Sequence, residues 1–153
     1  FFNTSSDKTS KDFLTWTWEP WILRNFEKNL WIKKAFNENL NLINNFNLFS
    51  KTINSKFHVN ILATKWQIHD EILTSEFKKK DLFYANKLAK RYFSKNQISH
   101  LDFSDIMNKF KILNGSKINN EISLFYINDG HWNELGQRIT AEATFKFLNK
   151  IVK

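Results

Sequence analysis

The stretch NDGHWNELG, residues 128–136, is followed by an amphipathic run to the C-terminus. Asn133 is a favourable N-cap, which predicts that a helix begins there. Apolar side chains then recur about every four positions and predict one buried helix face: Leu135, Ile139, Ala143, Phe147 and Ile151, with Leu148 beside them. Asp129 and His131 stand two residues apart before the helix, so on extended backbone their side chains point the same way. Helix capping does not explain why Asp129 and His131 stand together. Loops on a rigid scaffold often carry functional residues, so this pair is a candidate for a functional site.

A strand–helix–strand pattern upstream predicts an α/β fold. In residues 57–64 an apolar set of side chains alternates with a mixed set, which predicts a strand. The mixed second set indicates that both faces of this strand are covered. Residues 98–103 predict a second strand, and a helix over about 77–94 lies between them. A connection of this length allows parallel pairing with a right-handed crossover. Ser104 is predicted to cap a short helix after the second strand.

The loop after the first predicted strand is a candidate binding region. Residues 65–72 are predicted to turn from a loop into a helix, on the ligand side of an open α/β sheet. Trp66, Gln67 and His69 are therefore candidate pocket residues. For His69 the alternative is a solvated loop residue, and we favour that alternative over a metal ligand.

Residues 1–56 form an N-terminal segment rich in Trp and Phe, which we expect to join residues 57–153 in one domain. One helix is predicted from Glu19-Pro20. A second helix is predicted over about 38–51, with Leu40, Ile43 and Leu48 as its stripe. Four tryptophans of this segment would suit a carbohydrate site, although core packing is the reading we favour: Trp16, Trp18, Trp21 and Trp31.

The pattern Asp-Gly-His-Trp-Asn-x-x-Gly at residues 129–136, with a helix after it, resembles the last conserved block of the SGNH (GDSL-like) hydrolases. It is most similar to the branch with the alginate O-acetyltransferase-like proteins. The resemblance implies a three-layer α/β/α, flavodoxin-like fold of parallel strands. It also implies a Ser-His-Asp triad in which His131 is the general base and Asp129 orients it. Substrate-binding positions implied by the resemblance and the predicted loops are Trp66, Gln67, Trp132 and Asn133.

Other blocks of that family have no counterpart in the chain. The family's nucleophile lies in a Gly-Asp-Ser block after its first strand, and this chain has no glycine before position 115. Its Gly block and Gly-x-Asn-Asp block, which supply oxyanion donors, are also unmatched. Ser116 follows Gly115 in a late loop without the required context, so it is not assigned as the nucleophile. We expect the N-terminal strands of the fold and the serine to lie outside this chain, and no serine hydroxyl of the chain to reach His131.

Composition restricts the classes of partner. The formal net charge is +8, yet the lysines are scattered apart from residues 78–80, and no nucleic-acid-binding signature accompanies them. The chain has no cysteine, which excludes disulfides and thiolate metal sites. No cofactor or metal is expected. The family resemblance implies an acylated carbohydrate or small ester as substrate and an extracytoplasmic or membrane-associated location, with any signal or anchor lying upstream.

Three functions follow from the sequence. The first is an SGNH-type esterase or O-acetyltransferase acting on carbohydrate acyl esters, with the serine outside this chain. The second is a non-catalytic carbohydrate-binding or scaffold domain of the same shape. The third, which we favour least, is a basic nucleic-acid-binding module.

Overall fold

The computed structural model describes residues 26, 28–69, 81–114, 123–126 and 130–152. Seven elements occur in these ranges. They are helix α1 (Leu30–Thr52), strand β1 (His58–Ile61), helix α2 (Lys65–Ile68), helix α3 (Tyr84–Lys95), strand β2 (Ser99–Asp102), helix α4 (Phe103–Asn114) and helix α5 (Glu134–Val152). The protein is therefore α/β, with mostly helices and a two-stranded sheet.

The two strands pair in parallel, as the strand–helix–strand pattern predicts. His58 lies opposite Ser99 and Ile61 opposite Asp102. Both strands are shorter than predicted, because the chain turns into a helix soon after each one. Thr64 becomes the N-cap of α2, and Phe103 becomes the first residue of α4.

Two apolar clusters take up alternate side chains of the sheet. Val59 and Ile61 of β1 pack against a cluster formed by α1, α3 and Ile98. Leu101 of β2 packs against the other cluster, which contains Phe103 and Met107 of α4 and the segment 124–125. Since successive side chains of a strand point to opposite faces, the two clusters lie on opposite sides of the strands.

Helix α5 packs mainly on α4 and reaches β1 near its own end. Leu135 and Ile139 pack against the cluster that contains Met107, while the Phe147 ring lies 4.8 Å from the His58 ring, centroid to centroid. The helix predicted from Asn133 is thus confirmed. Within the described ranges, none of the helices combines the length and apolarity that a membrane span requires.

Three local predictions are wrong. The helix predicted over 38–51 is present, but its predicted start is wrong. It is part of one continuous helix from Leu30 to Thr52, because Phe36, Leu40 and Ile43 continue the same inward stripe through the polar residues 37–39. Leu48 is exposed rather than in that stripe. Ser104 does not cap α4. The cap position belongs to Asp102, whose Oδ1 accepts a hydrogen bond from the Ser104 backbone N–H at 2.9 Å.

Several predictions fall where the structure gives no description. The helix start at Glu19-Pro20, three of the four N-terminal tryptophans and the first part of the helix predicted over 77–94 lie outside the described residues. The described part of that last helix, Tyr84–Lys95, agrees with the prediction.

Candidate active site

The backbone around His131 forms a narrow antiparallel pair with residues 124–126. The Tyr126 N–H donates to the His131 carbonyl at 3.1 Å, and the Asn133 N–H donates to the Leu124 carbonyl at 3.1 Å. Phe125 and Trp132 lie opposite each other between these two bonds. Neighbouring side chains on such extended backbone point to opposite sides, so His131 is exposed while Trp132 turns inward and is half-buried.

Two side-chain contacts attach this pair to the segment that follows β1. The Trp132 indole Nε1 donates to the Ala63 carbonyl at 3.1 Å. The buried Lys65 ammonium donates to the Tyr126 carbonyl at 2.7 Å. The His131 backbone therefore lies beside the carboxyl end of β1.

Trp132 also contacts the end of the second strand. Its ring meets the ring of Phe103, the residue directly after β2, edge to face at 5.5 Å between centroids. The carboxyl edge of a parallel sheet is where open α/β folds bind ligands. Trp132 itself is used for packing and one hydrogen bond at this edge.

Asn133 has a structural role that accounts for its place in the motif. Its Oδ1 accepts a hydrogen bond from the Gly136 N–H at 3.0 Å, which caps α5, and its Nδ2 donates to the Ser123 carbonyl. Both ends of the amide are thus bonded within the protein. Substrate contact by Asn133 stays a prediction.

Gly136 is required by close packing. A Cβ at this position would stand 2.3 Å from the Leu124 carbonyl oxygen and 3.3 Å from the Trp132 Cβ. The first turn of α5 can therefore approach the segment 124–126 only with glycine here. The motif's asparagine and glycine together fix the angle at which the His131 segment enters the helix.

Trp66 and Gln67, predicted to line a pocket, are both buried in α2. The Gln67 Nε2 donates to the Leu82 carbonyl and to the Asn86 Oδ1, each at 2.9 Å, and its Oε1 accepts from the Thr64 N–H at 3.0 Å. Gln67 and Thr64 form a capping box that begins α2. Substrate binding by these residues stays a prediction, and for Gln67 it would require this network to open. His69 is buried as well, so the expectation of a solvated loop residue is wrong.

Sequence reasoning missed a buried carboxylate next to this network. Asp102 ends β2, and its Oδ1 accepts from the Ser104 hydroxyl at 2.6 Å and from the Asn86 Nδ2 at 3.3 Å. Its Oδ2 lies 3.3 Å from the Lys90 ammonium, which also donates to Asp105 at 2.7 Å. Burial lowers the pKa of Lys90, but the hydrogen bonds and charges of Asp105 and Asp102 outweigh it and raise that pKa overall. The available signal was an acid placed directly between a strand and a helix.

A second histidine lies against a serine at the opposite end of the strands. His58 Nδ1 is 3.0 Å from the Ser99 Oγ, and His58 Nε2 is 2.8 Å from the Asn60 Oδ1. Because His58 and Ser99 are the first residues of their strands, this group lies at the amino edge of the sheet, away from Ala63 and Trp132. The Phe147 ring packs beside the imidazole. We interpret the group as a cross-strand hydrogen-bond link.

The proposed partners of His131 are only partly described. Asp129 lies outside the described residues, so the Asp129–His131 contact stays a prediction. Two described serines lie next in sequence to the segments of this site. The Ser104 hydroxyl donates to the Asp102 carboxylate, and the Ser123 hydroxyl donates to the Phe125 carbonyl. In the described ranges no group of three or more His, Cys, Asp or Glu side chains is arranged to hold a metal ion.

Glu134, at the start of α5, adds an acidic side chain beside the His131 segment. Its carboxylate accepts from its own backbone N–H and from the Tyr126 hydroxyl, at 3.0 Å for the latter, and these bonds lower the pKa of Glu134. The negative charge also suits the first turn of a helix. Glu134 therefore stays ionised at neutral pH and helps to join residue 126 to α5.

Comparison of the chain with protein-family models, with curated proteins and with solved structures found no match.

Proposed function

We propose that this chain is the carboxyl-terminal part of an SGNH-like serine esterase or O-acetyltransferase with a three-layer, flavodoxin-like fold. His131 is its general base, Asp129 orients the imidazole, and the serine comes from outside the chain. The substrate is an acyl ester, and the family resemblance implies that the ester is one of a carbohydrate. The observation that supports this assignment is the attachment of the His131 segment to the carboxyl end of β1 through Trp132 and Lys65.

The chemistry assigned to His131 is proton transfer. The serine oxygen attacks the ester carbonyl carbon while His131 takes the serine proton, because a serine hydroxyl is a weak nucleophile without a base. The imidazolium then returns that proton to the leaving alcohol as the acyl–serine ester forms. Water completes a hydrolysis and a sugar hydroxyl completes a transfer, each activated by His131 in the same way.

Exposure and anchoring suit this role. A base must reach a partner from outside its own segment, and the His131 side chain is exposed. It must also be held still, and its backbone carbonyl is bonded to Tyr126 while the next residue is bonded to Ala63. A base on a fixed segment loses little activity to misorientation.

The experiment is a kinetic comparison of variants of the protein translated from the whole reading frame, with an acetyl ester as substrate. His131→Ala should lower kcat/KM on the order of 10³-fold or more, by analogy with other triads. Asp129→Asn should also be severe because it favours the wrong tautomer. The double variant should be little worse than His131→Ala, since both residues act as one unit.

His58→Ala is the matched control, because it removes the other histidine that contacts a serine. It should leave turnover nearly unchanged, and circular dichroism should report a native fold for all variants. A folded His131→Ala protein with normal turnover contradicts the proposal. Loss of turnover on His58→Ala or Ser99→Ala would move the active site to the other end of the strands.

A second candidate is a non-catalytic domain of the same shape. The structural use of Gln67 and Asn133 favours it, because neither amide is left for a substrate. Absence of any ester turnover in the complete protein, together with a measurable affinity for an acetylated oligosaccharide, would support this candidate over the first.

A further inference from the structure

Helix α1 carries an apolar surface that does not face its own core. Three side chains of the helix, and that of the C-cap residue directly after it, are each more than half exposed. We refer to these four side chains as the lateral stripe: Leu42, Phe46, Phe49 and Ile53. Their spacing is four, three and four residues. This is the spacing with which one helix packs along another.

The lateral stripe points sideways over the sheet. Phe36, Leu40 and Ile43 of α1 face the core that contains Val59 and Ile61 of β1. At 3.6 residues per turn the lateral stripe lies roughly 120° around the helix from that inward direction.

The flank of α1 opposite the lateral stripe is occupied by α3. The Tyr92 hydroxyl of α3 donates to the Asn41 Oδ1 at 2.9 Å on that flank. Because α3 packs on β2 and borders this flank, the lateral stripe lies on the side of α1 that faces away from β2.

Among the described residues, no strand pairs with the outer edge of β1. In the described part of the chain, the sheet consists of β1 and β2, so β1 pairs along one side only. Leu62, directly after the strand, is 63% exposed. An unpaired apolar strand edge is a template for pairing with another chain.

We propose that these two features form one self-association surface and that a second copy of this chain occupies it. A twofold axis perpendicular to the sheet would pair β1 with its copy in antiparallel fashion and join the two sheets into one. The same axis keeps α1 and its copy on one face, antiparallel, with the two lateral stripes in contact. One symmetry operator therefore covers both exposed features, as an isologous dimer requires.

The absence of charge on this surface favours a second copy over an acidic partner. The chain has a net charge of +8, but residues 39–50 and 57–64 contain no charged side chain. Two copies can therefore meet here without like charges in contact, whereas an acidic partner would find no basic residue to pair with on these segments.

The surface area predicts a weak dimer. The lateral stripe would remove on the order of 400 Å² from each copy, if each side chain offers roughly 150–250 Å² when fully exposed. The total of about 800 Å² is below the 1,200 Å² that is typical of stable complexes, although strand pairing adds to it. We expect a dissociation constant in the micromolar range or weaker.

The mass test is sedimentation of the 153-residue chain over a wide concentration range. We expect the mass to rise from 18.4 kDa toward twice that value with increasing concentration. Phe46→Glu should keep the chain monomeric at all concentrations, with an unchanged circular dichroism spectrum because Phe46 is outside the core. Leu113→Glu, at a 73% exposed apolar position on α4, is the matched control and should dimerise normally.

The geometry test uses cross-linking, since the chain has no cysteine of its own. In the antiparallel arrangement residue 42 meets residue 53 of the copy, so a mixture of Leu42→Cys and Ile53→Cys chains should form disulfide-linked heterodimers in excess over either chain alone. Hydrogen exchange of residues 57–62 should slow at dimer concentrations and not in Phe46→Glu.

Three results overturn the proposal: a monomer at every concentration, a dimer that Phe46→Glu leaves intact, or preferential linkage of 42 to 42. The proposed function and this inference compete for one edge of the sheet, because a strand from the serine-bearing part of the protein would occupy the edge of β1 that the dimer uses. A complete protein that turns over esters and stays monomeric at every concentration would therefore overturn the dimer and leave the proposed function intact. A complete protein that dimerises as described would support the dimer whether or not it turns over esters.

Discussion

Replacing Gly136 with alanine tests the packing that sets the position of His131. In an ordinary helix this change is favourable by about 1 kcal/mol, because glycine has the poorer helix propensity. Here the new Cβ would stand 2.3 Å from the Leu124 carbonyl oxygen, which is backbone and cannot rotate away. Overpacking of this kind costs about 1–3 kcal/mol.

A second cost follows from the same contact. Displacing the Leu124 carbonyl weakens its hydrogen bond from the Asn133 N–H, worth about 0.5–1.5 kcal/mol. Set against the propensity gain, the two costs leave a net destabilisation of about 0.5–3.5 kcal/mol. For a chain of this length that corresponds to a Tm lower by roughly 1–14 °C.

The assay is urea unfolding followed by tryptophan fluorescence and far-UV circular dichroism. Glu142→Ala, at an exposed site on the same helix, is the control and should change the free energy of unfolding by less than about 0.5 kcal/mol. A Gly136→Ala protein as stable as the original, or more stable, would refute the close approach of α5 to residue 124. It would also show that close packing does not require glycine at this position of the motif.

Three further changes test the contacts around the sheet. Asp102→Ala should lower the free energy of unfolding by about 3 kcal/mol, because it removes a buried acceptor and leaves Lys90 without its inner partner. The control is Asp105→Ala at the exposed partner of Lys90, which should cost under about 1 kcal/mol in the same urea assay. Because the pKa of Lys90 is raised in the folded protein, its contribution to the free energy of unfolding is complete below the ordinary pKa of 10.5 and is lost as pH rises through the folded-state pKa. Lys90→Met should therefore flatten the fall in stability above pH 10.5. A slope of stability against alkaline pH that this change leaves as it was would contradict the prediction. Trp132→Phe should cost about 1–2 kcal/mol by leaving the Ala63 carbonyl without its donor, and equal stability would show that water replaces the indole.

The alternation of residues 57–64 and 98–103, with a helix predicted between them, was enough to predict two parallel strands. The four-residue apolar repeat was enough to predict the last helix. Both signals are local, because strand and helix periods are properties of neighbouring residues. The cap at Asn133 was equally local, since a capping amide bonds to a backbone N–H three residues on. The sequence by itself therefore determined the class of fold and the identity and boundaries of α5.

Only the tertiary structure decided what surrounds His131. That Trp132 bonds to Ala63, 69 positions away in the chain, depends on how the strands bring the segments together. The same holds for the ion pair of Asp102 and Lys90, and for Gly136, whose necessity comes from a carbonyl twelve residues earlier. No local pattern contains these contacts, because packing in three dimensions selects them. For that reason the sequence was enough to propose the residues of the candidate site, while only the fold showed that Gln67 is bonded within the structure that supports the site.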